Sequence, residues 1–170
     1  MHPERAVPAA RQSHDHAPCL ESALSRAEIA FASRGMKLTA LRRLVFEEIA
    51  GSHDAVGAYD VLDRLQRKTG DRMAPISVYR ALDALLDAGV VHRLESRNAF
   101  FACHASHDTA ARPLALVCDK CGAVTERDAK EVRAAIDALA RQDGFEPKTI
   151  VIEVSGCCGI CRKADAEGAA

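Results

Sequence analysis

Tryptophan is absent from this 170-residue chain, and aromatic residues make up only 4% of it. Leu, Val, Ile and Ala must therefore fill the interior, and a hydrophobic fraction of 48% supplies enough of them. No apolar run approaches the roughly 20 residues that a membrane-spanning helix needs. Residues 1–18 lack a hydrophobic signal core. Both absences predict a cytoplasmic protein, and there the seven cysteines point to metal or redox chemistry rather than to a disulfide framework. A dominant charge is lacking too. The formal net charge is -1, with a slight basic excess over residues 34–102 and a slight acidic one over 103–170. That balance does not by itself indicate nucleic acid; it only places the more basic part first.

What is present is led by Cys118-Asp119-Lys120-Cys121, answered by Cys158-Gly159-Ile160-Cys161 after a gap of 36 residues. Each pair brings two thiolates within reach of one tetrahedral ion, and four thiolates are a usual structural zinc set. Such a site has no open coordination position, so it holds a fold together and does not activate water. Neither Cys pair follows a Pro, as a zinc deaminase's would. Cys121-Gly122 leads into a strand, whereas a thioredoxin-like motif sits at a helix start. A non-enzymatic protein is expected.

In chain order, residues 1–18 read as a disordered tail. Leu20, Leu24, Ala27 and Phe31 fall at helical spacing, and Gly35 follows as a stop. Thr39 is placed to cap a second helix whose inner face is Leu41, Val45 and Ile49. A turn cluster at 51–54 precedes a short helix over 58–66. Pro75 opens a fourth helix that buries Val78, Leu82, Leu85 and Leu86 and ends at Gly89. Residues 90–94 and 99–103 read as a hairpin around Ser96-Arg97-Asn98. Helices followed by a two-stranded wing predict a winged helix-turn-helix over residues 19–102. In that architecture the last helix enters the major groove and the hairpin lies along the DNA backbone. Tyr79 and Arg80 stand in the first turn of that helix, where contacts to DNA are expected.

Past a hinge loop at 103–113 the pattern changes. Strands are expected at 114–117 and 149–154, with a further strand begun by Gly122-Ala123-Val124. Asp128 is read as the N-cap of a helix carrying Val132, Ile136 and Leu139 on one face, with a stop at Gly144. The whole is α+β: a winged helix joined to a small α/β dimerisation domain over 114–163, stapled by zinc, with 164–170 frayed. A core this small leaves apolar faces uncovered, and a second copy of the chain is the simplest cover. Unspent ligands gather at the junction: His92, Cys103, His104, His107 and Glu126. A mixed N, S, O set suits zinc. Coming from both domains, these residues would fix the angle between them.

Several motifs, specific as a set, resemble the ferric uptake regulator family, and most closely its zinc uptake regulator branch. They are Leu38-Thr39-x-x-Arg42, Ala58-Tyr59-Asp60, Ser77-Val78-Tyr79-Arg80-Ala81-Leu82, Val91-His92-Arg93-Leu94-Glu95-Ser96 and Cys118-Asp119-Lys120-Cys121-Gly122. The resemblance spans about residues 20–162. It implies a homodimeric repressor of zinc-acquisition genes that binds double-stranded operator DNA when loaded with Zn2+ and releases it when zinc is scarce. It implies two zinc sites per chain. Cys118, Cys121, Cys158 and Cys161 match the structural ligands, His92, Cys103 and Glu126 the regulatory ones, and Tyr59 and Arg80 the residues that contact operator bases. An iron- or peroxide-sensing regulator of the same family is the alternative, and a Cys in the regulatory set favours zinc. The chain departs from the pattern in places. Thr39-Ala40 stands for the family's Thr-Pro. Ala111 occupies the position where a close relative has a fourth regulatory ligand, a His, and His107 on the same loop is taken in its place, with His104 the other choice. Cys157 is an extra thiol directly before the second pair.

Overall fold

The structure, a computed structural model, describes residues 16–52, 54–103 and 113–168. Of the tail expected over residues 1–18, residues 1–15 lie outside them, and residues 16–18 belong to a helix instead. Helix α1 (His16–Ser33) begins a little earlier than the apolar spacing indicated. It buries Ala23, Ala27 and Phe31, with Leu20 and Leu24 packed at the edge. Helix α2 (Ala40–Ala50) starts as its sequence requires. The Thr39 hydroxyl accepts the Arg42 N–H at 3.4 Å, satisfying one of the donors that every helix start leaves open. The Arg42 guanidinium donates to the Lys37 carbonyl at 2.6 Å and lies over the Phe31 ring, tying α2 to α1.

Helices α3 (Ala58–Thr69) and α4 (Pro75–Asp87) complete the helical unit. Pro75 sits in the first turn of α4, where its missing N–H costs nothing. Val78, Ala81, Leu82 and Leu85 line the core side of α4. The hairpin follows as β2 (Val91–Leu94) and β3 (Ala99–Ala102), antiparallel with His92 opposite Phe101. Its turn is a short 3-10 helix, Glu95–Arg97, closed by Asn98 in the left-handed region at φ 47. Asn is among the few residues other than Gly that tolerate that conformation. A two-residue strand, β1 (Val56–Gly57), adds to β3 and makes the wing a three-stranded sheet. The sequence gives no sign of it, because two residues are too few to show alternation.

The second sheet has the order β5-β4-β6. Strand β4 (Leu114–Cys118) pairs antiparallel with β5 (Val124–Arg127) and parallel with β6 (Glu153–Gly156). The last strand lies further along than the alternation at 149–154 predicts. Val151 and Val154 are exposed in the single chain, while Ile150 and Ile152 are half-buried. Helix α5 (Lys130–Gln142) takes Ala129 as its N-cap, not Asp128. The Asp128 carboxylate instead accepts the Lys130 N–H two residues on, at 3.1 Å, a local turn that competes with capping. Helix α6 (Gly159–Gly168) continues past Lys163, where fraying was expected. An ion pair between Lys120 and Asp165 fastens its last turns to the first Cys loop.

The two sheets meet. Leu94 and Phe101 of the wing pack with Ala115 and Val117 of β4 in a small second core. An isolated bridge joins Asp54 to Ala123. No helix among the described residues is long and apolar enough to cross a membrane.

Candidate metal centres and nucleic-acid interface

The parallel pairing of β4 with β6 puts Cys118 beside Gly156, so both Cys pairs emerge at the same end of one sheet. The first pair is wrapped around a tight turn: Gly122, at φ 80, donates to the Cys118 carbonyl at 3.0 Å, and Cys118 donates to the Ala123 carbonyl at 2.9 Å. The second pair lies at the start of α6. All four sulfurs fall within 4.8 Å of one another, and the Sγ atoms of Cys121 and Cys158 are 3.8 Å apart. A zinc ion with bonds of about 2.3 Å to sulfur needs a tetrahedral edge of about 3.8 Å. The Cys118 and Cys158 sulfurs accept backbone N–H groups from Cys158 at 3.3 Å and Cys161 at 3.5 Å.

The titration of these thiols carries the same message. Burial pushes the Cys118 thiol up. The backbone N–H groups of Cys121, Cys158 and Lys120 outweigh that and hold it at about 6. Burial and the neighbouring sulfurs push Cys161 far up, and burial also raises Cys121. Four thiolates gathered this closely need a cation among them. Cys157 is exposed and is not part of the cluster.

A second group forms at the seam. His92 on β2, Cys103 just after β3 and Glu126 on β5 bring one ligand atom each within 4.8 Å of the others. His92 Nε2 lies 3.5 Å from Glu126 Oε1, with the side chains only 15% and 4% exposed. The register explains the convergence. His92 lies opposite Phe101 and rests against its ring, Cys103 is held by its N–H to the Val90 carbonyl at 2.9 Å, and Glu126 pairs with Ala115 on the central strand. An imidazole, a thiolate and a carboxylate in partly buried surroundings make a donor set that suits zinc. His107 and its alternative His104 lie outside the described residues.

Tyr59 opens α3 and is 69% exposed, and Tyr79 and Arg80 stand exposed in the second turn of α4, not the first as expected, because the helix already begins at Pro75. The two tyrosine rings meet edge to face, with centroids 6.3 Å apart. Asp83 and Asp87 lie further along α4, away from its leading end.

One set of residues was not singled out by sequence reasoning. The Glu153 carboxylate, at the start of β6, accepts the backbone N–H groups of Glu95 at 2.6 Å and Ser96 at 3.1 Å. Arg97 donates to Asp119 at 2.8 Å. The turn of the wing is therefore docked on the second sheet. No local spacing announces such a contact, because its partners stand 57 and 58 residues apart.

The sequence model of the ferric uptake regulator family matches residues 33–155. The chain belongs to this family. Within it, the chain is 38% identical over 143 residues to the zinc uptake regulation protein of Escherichia coli strain K12, covering 84% of this chain and 83% of that protein. A solved zinc uptake regulator complexed with zinc and DNA superposes with a TM-score of 0.80 at 36% identity, covering 86% of this chain and 97% of that one. The holo form of XcZur superposes at 0.73 and its apo form at 0.50, each at 37% identity and over 85% of this chain and 99% of that one. This family member thus stands nearer in conformation to the holo form.

Proposed function

We propose that the chain is a zinc-responsive transcriptional repressor, a homodimer that binds operator DNA when zinc is sufficient and releases it when zinc is scarce. The observation that carries this reading is the convergence of His92 and Cys103 from the wing with Glu126 from the second sheet. A cation held by ligands from both sides binds only when the sides are together, so occupancy and domain angle are one equilibrium. Cys118, Cys121, Cys158 and Cys161 hold a structural zinc, which supplies charge balance and cross-linking. His92, Cys103 and Glu126, with His107 as fourth ligand, hold a regulatory one.

The residues divide the remaining work. Cys103 and Glu126 present anionic ligands and His92 a neutral ring nitrogen, a set whose affinity falls as protons compete for it. The two heads of the dimer, once their angle is fixed, meet successive half-sites on one face of the duplex. Arg80 and Tyr79 enter the major groove from the N-terminal half of α4, and Tyr59 follows from α3. The exposed apolar side of α5 and the open face around Val151 and Val154 become the contact between copies.

The experiment is a DNA-binding titration against free Zn2+, Fe2+ and Mn2+ with metal counted per chain. Tight operator binding that follows a second bound zinc supports the reading. Binding that follows Fe2+ and ignores Zn2+ overturns it in favour of an iron sensor.

A further inference from the structure

We infer that Glu153 is a positioning residue for the regulatory zinc site: a metal-independent clasp that holds the wing turn on the second sheet and so presents His92 to Glu126. This rests on the zinc-sensor reading of the seam.

The argument begins with unsatisfied donors. The first N–H groups of any helical turn have no partner within it. In the 3-10 turn Glu95–Arg97 no side chain of the turn's own N-cap, Leu94, serves them. Glu153 serves two of them from the other sheet, one carboxylate oxygen each, at 2.6 and 3.1 Å. A charged acceptor makes such bonds stronger than a neutral one would. Burial pushes the Glu153 carboxyl up, but the Ser96 side chain, the two N–H groups and the Arg97 charge together hold it below the usual carboxylate range. Arg97 adds its own bond to Asp119 in the first Cys loop.

Packing alone does not close this part of the seam. Among the described residues the shared apolar core comprises Leu94, Phe101, Ala115 and Val117, with Ala55 and Val124 at its edge. Beside it a cavity of about 230 Å3 opens, with His92, Phe101, Ile152 and Glu153 among its lining residues. His92 lies on β2, three positions before Glu95, the first residue of the turn. Whatever fixes the turn also fixes the height and rotation of the imidazole over Glu126. Without the clasp the wing is free to lift, and zinc must first bring it back. The apparent dissociation constant at the seam then rises by the factor by which the closed form is depleted.

The test uses the full-length dimer with its four-thiolate zinc in place. Glu153→Ala removes both acceptors, and Glu153→Gln keeps one. In protein holding only the structural ion, hydrogen exchange at the Glu95 and Ser96 amides accelerates by about tenfold in Glu153→Ala and by less in Glu153→Gln, as the closed population falls. Competition titration with a chromophoric chelator shows the second zinc weakened in the same order. Operator affinity at saturating zinc stays unchanged, which separates positioning from a general structural defect. If Glu153→Ala loses the structural ion, Glu153→Gln decides alone. Unchanged exchange, or an unchanged second-zinc constant in a variant that keeps its first ion, overturns the clasp. Absence of any second zinc in the wild type would instead overturn the sensor reading, while the exchange measurement would still report on the clasp.

Discussion

His92 and Glu126 face each other across the seam between the two sheets, with Nε2 3.5 Å from Oε1. One rides on the wing and the other on β5, so neither sheet alone can assemble the pair. The variant His92→Ala with Cys103→Ser should therefore keep one zinc per chain and lose zinc-dependent operator binding. Metal analysis alongside a mobility-shift titration checks this. Two ions retained, or unaltered binding, would discredit the seam as the regulatory site.

Replacing Cys161 by Ser should act on the fold, not on the response. Structural zinc sites carry apparent binding free energies of about 10–16 kcal/mol in small domains. Losing a thiolate from a cluster in which Cys118, Cys121 and Cys161 are buried should unfold the second sheet or dissociate the dimer. Circular dichroism with and without a strong chelator, together with sedimentation, reads the outcome. A stable apo dimer with native secondary structure would count against the structural role.

Arg80→Ala should cost about 1–3 kcal/mol on the specific operator and relax selection at one base pair. Arg80 is exposed in the second turn of α4 and carries no part of the core, so thermal stability should not change. Affinities measured at one fixed salt concentration, on specific and scrambled duplexes, distinguish a base reader from a phosphate contact. An identical loss on both duplexes would make it the latter.

Leu139→Glu should weaken self-association. Leu139 is 62% exposed in the single chain, and none of the α5 side chains is fully buried. A charge introduced into an apolar contact between copies raises the dimer dissociation constant on the order of tenfold or more. Analytical ultracentrifugation across a concentration series measures it. A dimer of undiminished strength would place the interface elsewhere.

The parts of this molecule that could be read from residue order are those governed by neighbours in the chain. Thr39 caps α2 and Pro75 opens α4 because capping and φ restriction are local. The spacing of the two Cys pairs revealed their meeting because a tetrahedral ion demands it, and the cluster contains Cys158 rather than the adjacent Cys157. What escaped is settled by distant partners. Strand β1 exists only because β3 accepts it. Strand β6 lies further along than the alternating stretch because its bounds follow its parallel pairing with β4. Glu153 reads in sequence as one more strand acid, and only the docked wing gives it two backbone donors.

The central place of β4 sets the order in which the molecule can be built. Its antiparallel neighbour β5 follows within a few residues, but its parallel neighbour β6 arrives only after α5. Non-local parallel pairing is slow to form. A copy emerging from the ribosome can thus complete its helices and wing well before its second sheet. Half-made molecules then lack both the gathered thiolates and the clasp, since Cys158, Cys161 and Glu153 all arrive with that last strand and the helix after it.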